Sequence, residues 1–159
     1  MARISRKPLA TVGALLTVPI LAAILLTFPG RSVAQAPETF TVVSTFERGK
    51  VVDLPRKGVR GVGDSEILRL RLTNDVGSRV GVEVDHCVVV HLQRQLCDSA
   101  FYISGRGRLV AEGIWNPAPG TVNVFAVAGG TGDFAGARGT VEFSDLGEGR
   151  VQITFTLMP

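Results

Sequence analysis

Short segments with alternating apolar and polar side chains dominate the sequence after residue 34. From Glu66 to Thr73, leucines at every second position are separated by Arg69 and Arg71. A two-residue period is typical of a strand with one buried face. Gly, Pro, Asn and Asp clusters separate the segments, and no helix-length period follows residue 34. The pattern predicts an all-β domain of about eight short strands, as in a barrel or a sandwich.

The residues of this domain agree with the periodicity. Val, Thr and Phe are abundant, and these residue types pack well on a pleated surface. Separate strands are predicted over Phe40–Phe46 and Lys50–Leu54. The Gly-rich stretch Gly129–Gly139 is predicted to be a close-packed connection. It has no Gly-Lys-Ser/Thr and opens no helix, so it is not a phosphate-binding loop.

The first 34 residues have the organisation of an export signal. A basic start, Met1–Lys7, precedes an uncharged apolar stretch, and small residues follow at Ser32–Ala34 and Ala34–Ala36. This order predicts a signal peptide over residues 1–34 and a domain over 35–159. Cleavage after Ala34 is preferred to cleavage after Ala36, because the latter places Pro37 beside the cut. An uncleaved membrane anchor is the alternative, since the apolar stretch nearly reaches bilayer length.

The positive charge of the chain belongs to this leader. The chain has 17 Lys and Arg against 14 Asp and Glu, a formal net charge of +3. Four of the positive residues precede residue 35, which leaves 13 against 14 in the domain. A domain near neutrality lacks the basic surface that nucleic-acid binding requires. We therefore expect no nucleic-acid partner, and membrane contact only through the leader.

The predicted export of the protein indicates the redox environment of its two cysteines. Cys87 and Cys97 are the only cysteines, and an oxidising compartment favours a disulfide between them. The alternative is a reactive thiol. Two cysteines with His86 and His91 do not give a convincing zinc-ligand spacing, so no metal site is predicted.

Direct pairing of the two cysteines would fix the register of two neighbouring strands. Opposite residue numbers would then sum to 184, and the bond would oppose a one-residue slip. The expected pairs are His86 with Asp98, Val84 with Ala100, and Val82 with Tyr102. His86 and Asp98 form either an acid–base pair or a cross-strand hydrogen bond.

Three segments resemble one protein superfamily. Ala126–Gly139 resembles the motif of dirigent proteins and allene oxide cyclases, in which a strand runs into Gly-Gly-Thr-Gly-x-Phe/Tyr-x-x-Ala-x-Gly. Gly63-Asp64, with Arg79–Gly81 further along, resembles the segment before the central hairpin of that superfamily. Cys87–Val90 resembles the cyclase stretch that carries a cavity-lining cysteine. The likeness extends from about Phe40 to Leu157, and small exported bacterial members are most similar.

This resemblance implies an eight-stranded antiparallel β-barrel with a hydrophobic cavity, often assembled as a trimer. It implies binding of a small hydrophobic or phenolic molecule, without a cofactor, and control of its cyclisation or stereoselective coupling, as in an isomerase. A non-catalytic binding module and a structural oligomeric barrel are the alternatives. The predicted pocket walls are Leu68, Leu70, Phe101 and Trp115.

The catalytic candidates Glu83 and Asp85 depend on which face of Val80–Leu92 is internal. Counting the apolar residues on each face places the even-numbered valines inside and leaves Glu83 and Asp85 on a solvated face. The resemblance places Cys87, and with it the odd-numbered face, in the cavity. There, burial would raise the pKa values of both carboxyl groups and suit them to proton transfer.

Mass spectrometry of the exported protein tests the leader and the cysteines together. We expect a mature chain that begins at Gln35 and lacks the two thiol hydrogens of Cys87 and Cys97. Retention of the leader would support the membrane anchor, and alkylation of both cysteines without prior reduction would contradict the disulfide.

Overall fold

The computed structural model describes residues 37–53, 61–91 and 94–158. The predicted signal peptide and its cleavage site lie outside these residues. Within the described ranges, no helix is long and apolar enough to cross a membrane.

Eight strands form one closed antiparallel barrel, as predicted from the strand pattern and the resemblance. Each strand pairs with the next along the chain, and the last pairs with the first to close the sheet. The strands are β1 Glu38–Val52, β2 Ser65–Thr73, β3 Arg79–His91, β4 Arg94–Ile103, β5 Gly107–Trp115, β6 Asn123–Gly132, β7 Arg138–Gly147 and β8 Arg150–Met158.

The first strand differs from its prediction. The two segments predicted over Phe40–Phe46 and Lys50–Leu54 belong to the single strand β1, which ends at Val52. A bulge places Glu47 between two consecutive pairs with β2, so the strand bends without ending. Residue 54 lies outside the described ranges.

The glycine-rich stretch contains more strand than predicted. Strand β6 continues through Gly132, a turn covers residues 133–136, and β7 begins at Arg138. Glycine is required here by close approach of the backbone. A Cβ on Gly130 would lie 2.5 Å from the carbonyl oxygen of Phe134 and 2.6 Å from that of Arg108.

The register between β3 and β4 is the predicted one. Cys87 lies opposite Cys97, and the two form a disulfide. The pairs His86–Asp98, Val84–Ala100 and Val82–Tyr102 are all present. His86 and Asp98 are exposed, so this pair lies on the outer surface of the barrel.

The expectation from apolar counting on β3 is wrong. The odd-numbered side chains of β3 point into the barrel, where Glu83 and Cys87 are buried. Val82, Val84 and Val88 face outward and are partly buried, whereas Val80 packs against the core. Glu83 is tolerated in the interior because Ser44 of β1 hydrogen-bonds it, a relation that counting along one strand does not detect.

Aromatic side chains close one end of the barrel. The turn between β6 and β7 places Phe134 inside, 1% exposed, with its ring centroid 5.9 Å from that of Phe40. The guanidinium of Arg106 lies 4.5 Å from the Phe134 ring centroid and 5.0 Å from that of Phe40. It also pairs with Glu38 on β1. This contact ties the start of β1 to the closed end through cation–π and ionic attraction.

The close approach at Gly130 predicts a large effect of a single methyl group. Gly130→Ala should lower the free energy of unfolding by about 3 kcal/mol, because two carbonyl groups must move apart. Urea denaturation measures the loss.

Gly136→Ala is the matched control, because its Cβ meets no atom within 4 Å. Its φ of 76° costs only about 1 kcal/mol. Equal losses in the two variants would contradict the role of close packing at Gly130.

Candidate functional site

An internal cavity of about 150 Å³ occupies the half of the barrel opposite Phe134. All strands contribute to its wall, and the interior residues of β2, β3 and β4 supply the polar part. The lining residues are Ser44, Glu66, Leu68, Leu70, Glu83, Asp85, Cys87, Gln95, Cys97, Ser99, Trp115, Phe125, Phe143, Val151 and Ile153.

Two carboxyl groups lie side by side on the cavity wall. Glu83 and Asp85 are two residues apart on β3, so both point to the same face. Glu83 is 2% exposed and accepts a hydrogen bond of 2.5 Å from the hydroxyl of Ser44 on β1. Ser99, which lies opposite Asp85 on β4, hydrogen-bonds the Asp85 carboxyl group.

The environment separates the proton affinities of the two groups. Burial raises the pKa of Glu83 well above its usual 4.5, the charge of Asp85 raises it further, and the hydrogen bond from Ser44 opposes the rise. Burial raises the pKa of Asp85 from 3.8 to about 6, against the hydrogen bonds with Ser99 and Glu83. Asp85 is therefore the first of the pair to ionise as the pH rises, and Glu83 holds its proton more tightly.

One oxygen of this pair has no partner within the described part of the chain. Asp85 Oδ1 is buried and accepts no hydrogen bond from any described residue. A buried acceptor left unsatisfied costs about 1–3 kcal/mol, more when it is charged. The atom is therefore a ready acceptor for a donor placed in the cavity.

Aromatic rings form the wall across from the carboxyl groups. Phe125 and Phe143 have ring centroids 4.7 Å apart, and Trp115 meets Phe143 edge to face at 5.8 Å. Gly113 on β5 leaves the space that Phe125 fills, since a Cβ there would lie 2.2 Å from that ring. The wall is apolar and closely packed, which suits a flat apolar ligand.

The outer part of the cavity combines polar groups with the disulfide. Gln95 Nε2 donates to Glu66 Oε1 at 3.0 Å, and this pair joins β2 to β4. Cys87 and Cys97 lie beside it and cross-link β3 to β4. Strands β2, β3 and β4 are thus held together around the carboxyl pair.

Five of the six side chains singled out in the sequence as catalytic or wall residues line this cavity. They are Leu68, Leu70, Glu83, Asp85 and Trp115. Phe101 does not. It is fully buried in the core, where its ring meets that of Phe155 edge to face at 4.9 Å. It lies opposite Glu83 in the register of β3 and β4, but the packed phenylalanines fill the space in front of it.

Sequence reasoning missed several lining residues. Ser99 and Gln95 share the face of Cys97 on β4, so the cysteine could have identified both. Ser44 is 39 residues from Glu83 in the chain, and no spacing along β1 or β3 predicts the hydrogen bond between them. Phe125 and Phe143 look like ordinary core residues in the sequence.

Metal binding has no support in the described residues. Across residues 37–53, 61–91 and 94–158, no group of three His, Cys, Asp or Glu side chains is placed to hold a metal ion.

No model of a protein family matches the chain, and no curated protein does. Solved structures match over most of its length. Pyocyanin demethylase aligns with a TM-score of 0.66 and 22% identity, over 76% of this chain and 100% of its own. AbnU, an exo-specific intermolecular Diels-Alderase, aligns with a TM-score of 0.64 and 12% identity, over 79% and 100%.

A dirigent protein gives a third match. The pterocarpan synthase dirigent protein PsPTS1 aligns with a TM-score of 0.61 and 16% identity, over 78% of this chain and 94% of its own. The chain has the dirigent-like barrel fold. At these identities the likeness establishes the architecture alone, so what the cavity does must be argued from its own residues.

The raised pKa of Asp85 predicts a pH-dependent stability. Between 3.8 and about 6 the folded protein holds this proton more tightly than the unfolded chain does. The free energy of unfolding therefore falls as pH rises through that interval, and it stays lower above it. Asp85→Asn should stabilise the barrel by roughly 1–3 kcal/mol at neutral pH, and less as the pH approaches 3.8.

Denaturant titrations across this pH range measure the difference. Asp98→Asn, on the outer face of β4, is the matched control, and its difference from the parent should stay small throughout. A stabilisation by Asp85→Asn that does not change with pH would contradict the burial of an ionised Asp85.

Proposed function

We propose that this barrel binds a small apolar or aromatic molecule in its cavity and directs its cyclisation or stereoselective coupling, as an isomerase-type catalyst. The observation that carries the proposal is a pair of adjacent carboxyl groups, from Glu83 and Asp85, on the wall of an otherwise largely apolar cavity. A general acid beside a general base is the arrangement that proton-transfer chemistry requires. The fold shared with a Diels-Alderase and a dirigent protein supports the choice of reaction class.

The pair can complete a reaction with no net change in protons. Ionised Asp85 accepts a proton from an acidic O–H or C–H of the ligand, and protonated Glu83 donates one to the oxygen on which charge develops. Glu83 and Asp85 hydrogen-bond to each other, so the proton then returns from Asp85 to Glu83. The ligand keeps its atoms and leaves rearranged, and the pair is ready for another turnover.

The aromatic wall supplies the second part of the mechanism. Trp115, Phe125 and Phe143 restrict how a flexible or reactive molecule folds against the carboxyl pair. A ligand held near its reactive conformation loses little further entropy in the transition state, and cyclisation is therefore faster. The same restraint selects one face of the ligand for reaction.

Non-catalytic binding is the second candidate, and the size of the cavity favours it. Its volume of about 150 Å³ is below the roughly 300–1,000 Å³ common for small-molecule sites. Such a space holds a compact ligand firmly but leaves little room for two reactants. Turnover, measured directly, separates the two candidates.

We also propose that the protein acts outside the cytoplasm as a homo-oligomer. The disulfide between Cys87 and Cys97 suits an oxidising compartment, and the leader-like sequence before residue 35 agrees with export. Leu96 and Ile114 lie side by side on the outer face and are 39% and 46% exposed, which gives apolar surface for self-association.

A ligand screen with lipid epoxides and phenolics, followed by variants, tests the catalytic proposal. For a substrate found in this way, Glu83→Gln combined with Asp85→Asn should lower turnover by about 100-fold or more. Binding should change less, because the apolar walls remain. Chiral chromatography of the product measures rate and stereochemistry together.

Glu142→Gln combined with Asp98→Asn is the matched control, because both side chains are exposed on the outside of the barrel. This variant should keep full turnover. Normal turnover by the cavity double variant would refute the acid–base assignment, and tight binding without turnover of any ligand would favour the binding module.

A further inference from the structure

The charge of the cavity wall restricts what can enter it. Three carboxyl groups line the wall, from Glu66, Glu83 and Asp85. No Lys, Arg or His is among the described lining residues. Three of the described arginines belong to other surfaces. Arg69 and Arg71 pair with Glu47, and Arg106 lies at the closed end. An anion in the cavity would meet like charge, and no cation among the described lining residues would compensate it.

We propose that the cavity binds a single-ring ligand whose positive charge contacts Asp85, and that it excludes anions. This inference rests on the proposal that the cavity binds a small aromatic molecule. It adds the charge of the ligand, which neither the fold nor the structural neighbours specify.

Asp85 is the group positioned to bind the positive charge of the ligand. Its Oδ1 atom is buried and unpartnered among the described residues, whereas Glu83 already accepts from Ser44. Glu66 accepts from Gln95. A cationic N–H donor bound to Asp85 would satisfy this oxygen and neutralise its charge. Charge-assisted hydrogen bonds of this kind are about twice as strong as neutral ones.

The aromatic wall favours the same ligand. Trp115, Phe125 and Phe143 line the cavity, and the face of an aromatic ring attracts a cation at short range. A cavity of about 150 Å³ is the size that accepts benzene in other proteins. A single aromatic ring with one cationic substituent therefore matches the volume, the wall and the free acceptor.

The groups that surround Asp85 determine how binding depends on pH. Ser44 on β1 and Ser99 on β4 are neutral, Glu83 on the same strand holds its proton more tightly than Asp85 does, and Glu66 on β2 adds negative charge. The disulfide does not titrate. Since the pKa of Asp85 is about 6, preference for a cation should be strong above that pH and weaker below it.

Benzamidine, benzamide and benzoate test the inference. They have the same ring and nearly the same shape, and at neutral pH they are cationic, neutral and anionic. Trp115 is the only tryptophan of the chain and lines the cavity, so its fluorescence reports binding there. Well above pH 6, benzamidine should bind about tenfold or more tightly than benzamide. Benzoate should not bind detectably.

Asp85→Asn should reduce the preference for benzamidine over benzamide to about threefold or less, by removing the charge that the cation meets. Asp98→Asn should keep the full preference, and circular dichroism of both variants verifies folding. In the parent protein, the preference should also shrink well below pH 6.

The outcomes separate this inference from the proposed function. Equal binding of benzamide and benzamidine, or a preference that survives Asp85→Asn, overturns the charge selection but leaves an aromatic-binding cavity. Binding of benzoate overturns the exclusion of anions. If none of the three changes Trp115 fluorescence at millimolar concentration, both the inference and the proposed binding of a small aromatic molecule fail.

Discussion

The register in which β3 pairs with β2 and β4 is the constraint on which the rest of the interior depends. Side chains alternate across a strand, so a one-residue slip would move Glu83 and Asp85 to the outside. The bond between Cys87 and Cys97 links directly opposed residues and opposes such a slip. Closure of the sheet adds a second constraint, because every strand is paired on both sides and none is free to shift alone.

The two halves of the barrel interior differ in polarity and in packing. At one end Phe134, Phe40 and Phe155 pack together, and Arg106 covers the first two rings, so this half of the interior is filled. In the other half the wall becomes polar along β3, and a cavity remains. The filled half provides the hydrophobic stabilisation that offsets the cost of burying two carboxyl groups in the other. Such a compromise is typical of a functional site, where residues useful for chemistry destabilise the fold.

The outcome of prediction differed between the strands and the site. The alternation of Glu66–Thr73 was sufficient to predict a strand, because it depends on local pattern. The assumed pairing of Cys87 with Cys97 was sufficient to predict one complete register. Apolar counting failed on β3, since it treats valines as interior and acids as exterior. Ser44 shows the reason for the failure. It satisfies Glu83 from a strand 39 residues away, and no local pattern in either strand encodes that contact.

The wall residues also show which features can be predicted from local sequence and which depend on tertiary structure. Leu68, Leu70 and Trp115 were predicted to line a pocket and do so, whereas Phe101 points inward but lies among packed rings. The sequence by itself determined an all-β chain, the register that follows once Cys87 pairs with Cys97, and a charge near zero for residues 35–159. Only the tertiary structure decided which face of β3 is internal and where the interior is empty. Strand periodicity depends on neighbours along the chain, while burial and cavity shape depend on side chains that meet across the barrel.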